Sequence, residues 1–137
     1  MEQNTWKIKL VILWIMQAIN FFAVLFIFFL ETGGFFNGIK PGNATGEASA
    51  AATAIAIVSL VIFIMAWLSF VLKPKISRWP NIIFGIIFFW YKVSYLAGAL
   101  SDGVTGIIIN EIWGAIAAAL IIWYGWKIPK QSNPEIT

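Results

Sequence analysis

The sequence of 137 residues contains no cysteine and no histidine. Without cysteine, the chain has no disulfide, no thiolate nucleophile and no cysteine-ligated metal site. Without histidine, it also lacks the commonest metal ligand and the side chain most often used as a general base. These two absences exclude many enzyme classes. No cofactor-binding motif occurs either, so we expect no catalytic residue, no metal and no cofactor.

Charge is scarce as well. Only 11% of the residues are charged, 61% are hydrophobic, and the mean hydropathy is +0.86. A typical soluble domain has about 25% charged residues. A domain of this size could not bury so much apolar surface in one water-soluble core, because small domains bury only a limited fraction of their surface. The sequence therefore predicts that the lipid bilayer is the solvent of this protein.

Four apolar segments are long enough to cross a bilayer, which takes about 20 residues of α-helix. These segments are residues 10–30, 48–72, 80–100 and 104–126. We predict an all-α integral membrane protein, an antiparallel four-helix bundle that forms a single domain over residues 1–130. Residues 131–137 are predicted to be a polar tail.

Short connections set the order of the predicted helices. Ser101, Asp102 and Gly103 form a tight turn, so the third and fourth helices must be antiparallel neighbours. The basic connection KPKISRWP is bounded by Pro74 and Pro80. We expect Pro74 to end the second helix and Pro80 to start the third, since proline is tolerated in a first helical turn but not in the interior.

The basic residues predict how the chain is oriented. Seven of the nine fall on one side of the predicted membrane: Lys7, Lys9, Lys73, Lys75, Arg78, Lys127 and Lys130. Lys40 lies on the opposite side, together with Glu31, Glu47 and Asp102. An excess of lysine and arginine marks the cytoplasmic side. We therefore expect both termini to be cytoplasmic, and we attribute the net charge to topology rather than to a nucleic acid partner.

Two charged residues lie inside the predicted spans. Lys92 is ten residues before Asp102, about 15 Å of helix, and Glu111 is seven residues after Val104, about 10 Å. Both groups therefore lie in the outer half of the membrane at similar depth. A lone charge in the bilayer centre costs about 2.5–3.5 kcal/mol on insertion scales. We predict that Lys92 and Glu111 face the interior and each other, as a buried ion pair or a substrate-facing pair.

Uncharged polar residues of the predicted helices are expected to lie near the depth of Lys92 and Glu111 and to form a polar layer with them. They are Gln17, Asn20, Ser59, Tyr95 and Asn110. The alternative is that they are only interhelical hydrogen-bonding residues, each contributing about 0.6–2 kcal/mol. Small residues share the stripe of Glu111 on the fourth helix, namely Gly114, Ala115 and Ala118. Gly114 and Ala118 form a small-xxx-small pattern, which we expect to let the third helix approach closely.

Three stretches of the chain resemble a family of small four-span prokaryotic membrane proteins, an uncharacterised domain of unknown function. They are WKIKLVILWIMQ at 6–17, KPKISRWPNIIFGIIFF at 73–89 and NEIWGAIAAALIIWYGWKIPK at 110–130. The family has an Arg-Trp followed by Asn-Ile after a basic loop, and an acidic residue followed by isoleucine in the last span. The matching residues are Arg78, Trp79, Asn81, Ile82, Glu111 and Ile112.

The resemblance implies a multi-pass protein of the prokaryotic inner (cell) membrane with four spans, and it implies no known activity. The loop over residues 31–46 differs from the family pattern. Lys92 is not part of that pattern, so the predicted ion pair rests on this chain alone.

Three functions fit the sequence. The first is a transporter or channel for a small solute or ion, assembled as a homo-oligomer, because four helices with one polar layer do not easily enclose a wide pathway. The second is a non-catalytic membrane module that binds lipid or a partner membrane protein, which the alanine- and glycine-rich fourth helix favours. The third is an enzyme that uses Lys92 as a Schiff base opposed by Glu111. No cofactor motif supports this third function, and we expect no enzymatic activity.

Overall fold

The part of the chain that the structure describes forms four α-helices. The computed structural model describes the backbone of residues 2–31 and 46–128 and the side chains of residues 5–27 and 53–128. The helices are α1 (Glu2–Glu31), α2 (Gly46–Val71), α3 (Pro74–Asp102) and α4 (Thr105–Lys127). Each helix contains a stretch that is long and apolar enough to cross a membrane. The prediction of an all-helical protein with four candidate membrane spans is confirmed. The loop around Lys40 and the tail at 131–137 lie outside the described residues.

Helix α3 begins earlier than the sequence predicted. It starts at Pro74, and Pro80 lies inside it, so the expectation that Pro80 starts the third helix was wrong. Pro74 occupies the first turn, where its missing N–H has no helical acceptor in any case. Pro80 removes one helical hydrogen bond, and the helix nevertheless continues through it. The connection between α2 and α3 is therefore only Leu72 and Lys73.

A glycine ends α3 and turns the chain into α4. Gly103 adopts the left-handed conformation, with φ of 70°, and its N–H donates to the carbonyl oxygen of Ala99. Residues with a Cβ rarely adopt this conformation, which explains why glycine occupies the position. The short turn places α4 beside α3 along most of their lengths.

Glycines also set how closely the helices approach. A Cβ added at Gly85 in α3 would lie 2.8 Å from Ile122 Cγ1 in α4, and one added at Gly125 would lie 3.2 Å from Ile82 Cγ1. A Cβ added at Gly114 would instead lie 2.5 Å from Asn20 Oδ1 in α1. The expectation that Gly114 admits the third helix was therefore wrong, because its close neighbour is α1. The lack of a side chain at Gly85 and Gly125 lets α3 and α4 pack closely against each other.

The other two small residues of the Glu111 stripe differ in burial. Ala118 is fully buried and belongs to the apolar core, together with Trp14 and Ile121. Ala115 is only partly buried. The stripe as a whole therefore packs into the interior at Gly114 and Ala118, while Ala115 lies at its edge.

We expect Gly114→Ala to lower the free energy of unfolding by about 1–3 kcal/mol, because the added methyl group must displace the amide of Asn20 in a packed interior. Gly98→Ala in α3 is the matched control, since a Cβ there has no heavy atom within 4 Å. That change should be neutral or stabilise by up to about 1 kcal/mol, the difference in helix propensity. Reversible unfolding in mixed micelles, followed by circular dichroism, measures both. Equal effects at the two sites would contradict the proposed approach of α1.

The surface and interior are arranged for an apolar solvent. Large apolar side chains such as Leu60, Phe63 and Trp67 project outward from α2. Charged and amide side chains occupy the interior: Gln17, Asn20, Arg78, Asn81, Lys92, Asn110 and Glu111 are all buried. Water-soluble domains show the reverse preference. Helix α1 packs against α2 and α4, α4 packs against α3, and α2 touches α3 least.

Candidate functional site

The central feature of the interior is a contact between Lys92 and Glu111. Lys92 Nζ lies 3.4 Å from Glu111 Oε1 and 3.4 Å from Oε2, and each side chain is only 1% exposed. Charge-assisted hydrogen bonds between such groups are usually about 2.7–2.9 Å long. The two groups therefore neutralise each other without forming the tightest bond available to them. The ring of Tyr91 adds a cation–π contact, with its centroid 5.6 Å from Nζ.

Two asparagines connect this pair to α1. Asn20 Nδ2 donates to the carbonyl oxygen of Asn110 at 2.6 Å, and Asn110 Nδ2 donates to the carbonyl oxygen of Asn20 at 3.1 Å. Asn110 Nδ2 also lies 3.5 Å from Glu111 Oε1. This reciprocal exchange fixes the register of α1 against α4, because a shift of either helix would break both bonds. One chain of polar contacts thus joins α1, α4 and α3.

Three oxygens in this layer keep unused acceptor capacity. Gln17 Nε2 donates to the carbonyl oxygen of Gly114 at 2.7 Å, but Gln17 Oε1 accepts no hydrogen bond from the described residues. The same holds for Asn20 Oδ1 and for Glu111 Oε2, although Lys92 Nζ is near the latter. A buried acceptor without a donor costs about 1–3 kcal/mol. A molecule that supplies N–H or O–H groups at this level would remove that cost.

Ser59 and Tyr95, also predicted for the polar layer, lie apart from it. The hydroxyl of Ser59 donates to the carbonyl oxygen of Ile55 in its own helix, at 2.8 Å. Tyr95 is 52% exposed and stacks against Tyr91, with ring centroids 4.5 Å apart. Both positions lie on the expected helices, but helical periodicity alone did not show that the hydroxyl of Ser59 bonds within its own helix.

A cavity lies beside Tyr91, the residue whose ring contacts Lys92, and the buried charged and amide side chains of the polar layer do not line it. Its volume is about 430 Å³, and Tyr91 and Tyr95 line it together with apolar residues of α1, α2 and α4, such as Phe21, Val58 and Ile107. A second cavity, of about 200 Å³, shares Val58 and Tyr91 with the first and continues along α2 and α3. Tyr91 thus contacts both the ammonium group of Lys92 and the cavities. Sequence reasoning missed Tyr91, although its position next to Lys92 was a usable signal.

A second polar cluster lies near the end of α2 and the start of α3. The sequence did not predict it. Asn81 Oδ1 accepts from Trp14 Nε1 at 2.7 Å and from the hydroxyl of Ser69 at 3.0 Å. Its Nδ2 donates to the carbonyl oxygen of Ser77 at 2.8 Å and to the hydroxyl of Ser77 at 3.0 Å. Every polar atom of this amide is satisfied, so the cluster joins α1, α2 and α3 as a structural element. It contains no ionisable group.

Within the described residues, no group of three or more acidic side chains is arranged to hold a metal ion. Glu111 is the only buried acid there, and its partner is the ammonium group of Lys92. Comparison with known proteins adds no further guide to the site: no family model, no curated protein and no solved structure matches the chain.

Proposed function

We propose that this protein is a membrane carrier for a small solute or ion, and that Lys92 and Glu111 are its substrate-facing charges. The observation that carries the proposal is a buried carboxylate and two buried amides with unused acceptor oxygens, together with a cavity of about 430 Å³ whose wall includes Tyr91, the ring that contacts Lys92. Ionisable residues inside a membrane mark solute and proton pathways more often than they serve packing alone.

The long contact between the two charges supports a role in exchange. At 3.4 Å, Lys92 can leave Glu111 for a substrate anion, or Glu111 can accept a substrate cation, at lower cost than from a short bidentate bond. Because both groups are almost fully buried, they are sealed from the surrounding solvent. A sealed site favours a carrier that opens alternately to each side over a permanently open channel.

We further propose an antiparallel bundle with both termini in the cytoplasm of a prokaryotic cell. Lys7 near the start of α1 donates to the carbonyl oxygen of Phe70 near the end of α2, at 3.3 Å. Lys9 lies 5.1 Å from the ring of Tyr124 near the end of α4. These contacts support a common basic end for the helices, which the excess of lysine and arginine would keep in the cytoplasm.

A homo-oligomer is part of the proposal, because one chain of four helices offers little room for a pathway. The outward face of α2 supports it, since Leu60, Phe63 and Trp67 are exposed there and could pack against a second copy. Cross-linking in liposomes, followed by denaturing electrophoresis, would show the number of copies.

Flux through liposomes tests the proposal. The purified protein is reconstituted at several densities, and uptake of protons, sodium and chloride is followed with trapped fluorescent indicators. We expect flux of at least one probe to rise linearly with protein density and to fall to the level of protein-free liposomes in Lys92→Met, which removes the charge at nearly constant volume. Lys75→Met, an exposed lysine in the first turn of α3, is the control and should leave flux unchanged. Unchanged flux in Lys92→Met would remove Lys92 from the mechanism.

The second candidate is a non-catalytic module that holds a lipid chain or a partner helix between α2 and α3. It is favoured by the two cavities there, whose walls are almost entirely apolar. Absence of flux for every probe, together with one lipid or protein that remains bound through purification in mild detergent, would support this candidate over the carrier.

A further inference from the structure

Arg78, the second buried cation among the described side chains, lies far from the polar layer. It is fourteen residues before Lys92 on the same helix, about 21 Å along the axis. Its side chain is only 7% exposed, and its Nε is buried without a hydrogen-bond acceptor among the described residues. Its described contacts are with two indole rings, Trp126 at 4.9 Å and Trp79 at 5.9 Å from the guanidinium carbon.

A buried guanidinium without an anion is unusual, because charged groups are costly to bury unless they are paired. The only ion pair among the described residues joins Lys92 to Glu111, at the other level of the bundle. The basic ends of the helices carry Lys7, Lys9, Lys73, Lys75 and Lys127 in addition to Arg78. Over residues 5–27 and 53–128, whose side chains the structure describes, the acids are Asp102 and Glu111, and neither lies at this end.

The position of Arg78 near the start of α3 also favours binding of an anion there. Lys75 and Arg78 lie in the first turns of α3, at the positive end of the helix dipole, where acidic side chains are usually preferred. The first turn has no acidic residue, and its N-cap, Lys73, makes no capping hydrogen bond from its side chain. Arginine offers planar, paired N–H donors that match phosphate oxygens, whereas cation–π contacts leave these donors free.

The two indoles indicate where the anion comes from. Trp79 and Trp126 are 58% and 60% exposed, and tryptophans in such positions lie at the level of the lipid head groups. An anion at Arg78 would therefore be reached from the bilayer surface. We propose that Arg78, Trp79 and Trp126 form a binding site for the phosphate group of an anionic phospholipid, at the basic end of α3 and α4. Because this site lies away from Lys92, it does not depend on the carrier proposal.

Lipid binding to the full chain in detergent micelles tests the proposal, with native mass spectrometry as the readout. The probes are phosphatidylglycerol, phosphatidylcholine and inorganic phosphate. We expect phosphatidylglycerol to bind more tightly than phosphatidylcholine, and inorganic phosphate to compete weakly. Arg78→Gln should weaken binding of phosphatidylglycerol at least about tenfold, the effect of losing one charge-assisted hydrogen bond. Lys75→Gln, an exposed cation in the same turn of the helix, should change it by less than about twofold, as expected for a screened surface charge.

A third variant keeps the test decisive if Arg78→Gln does not fold. Arg78→Lys retains the charge and loses the paired donors, so we expect an affinity between those of the wild type and Arg78→Gln. Three results would overturn the proposal. The first is an equal loss of phosphatidylglycerol affinity in Arg78→Gln and Lys75→Gln, which would indicate a diffuse basic surface. The second is equal affinity for phosphatidylglycerol and phosphatidylcholine. The third is binding of inorganic phosphate as tight as that of phosphatidylglycerol, which would indicate a soluble ligand.

Discussion

Replacing Lys92 with methionine should lower the free energy of unfolding by about 3 kcal/mol, the low end of the range for breaking a buried ion pair. Methionine fills most of the volume of lysine, so the cost arises from the carboxylate of Glu111, which loses its only cationic neighbour among the described residues. Asn110 compensates only weakly, because its amide nitrogen carries no charge and lies 3.5 Å from Glu111 Oε1. Reversible unfolding of the purified protein in mixed micelles measures the change.

Lys75→Met provides the control for this effect. Lys75 lies on the same helix, is exposed, and has no ion pair with a described residue, so its replacement should change stability by less than about 0.5 kcal/mol. A loss of comparable size in the two variants would show that the effect of Lys92→Met does not come from the carboxylate. A neutral effect of Lys92→Met would show that Glu111 is satisfied by another group.

Asn81→Ala should lower the free energy of unfolding by about 2–4 kcal/mol, because one amide serves three helices. Its removal leaves the buried Trp14 Nε1 without an acceptor and takes one hydrogen bond from Ser69 and two from Ser77. It also opens a small space between α1, α2 and α3, which adds a packing cost. Thermal unfolding in micelles would report the loss of stability, and near-ultraviolet circular dichroism would report the change in aromatic packing.

Ser94→Ala is the matched polar deletion on α3. The hydroxyl of Ser94 is exposed and donates only to the carbonyl oxygen of Trp90 in its own helix, at 2.9 Å. Its loss should change stability by less than about 0.5 kcal/mol. If Asn81→Ala were as mild as Ser94→Ala, the cluster around Asn81 would have no structural role in joining α1, α2 and α3.

The architecture of the protein follows from its sequence because lipid imposes simple requirements. Four apolar segments of sufficient length predicted four helices, and the structure has them. Depth counted from the turn at residues 101–103 predicted that Lys92 and Glu111 lie at one level, and their side chains are in contact in the structure. Such arithmetic works because the rise per residue of a helix is fixed and the turn between α3 and α4 is short.

Helix lengths and depths did not show which helix packs against a given face of α4. Periodicity placed Gly114 on the interior face of α4, but α1 rather than α3 approaches it, and the close approach of α3 to α4 is at Gly85 and Gly125. The first residue of α3 could not be predicted either, since Pro80 indicates a helix start as clearly as Pro74 does. With the helix expected to begin at Pro80, Asn81 was placed at its edge, and its role in joining three helices was not foreseen.

Exchanging the two charges tests the central claim, that Lys92 and Glu111 neutralise each other inside the bundle. The measurement is the free energy of unfolding of Lys92→Glu, Glu111→Lys and the double exchange. Each single reversal places like charges side by side in a buried site and should be severely destabilising. We expect the double exchange to be more stable than either single variant. A double variant as unstable as the sum of the two single changes would contradict the claim, because it would show that the two side chains do not interact.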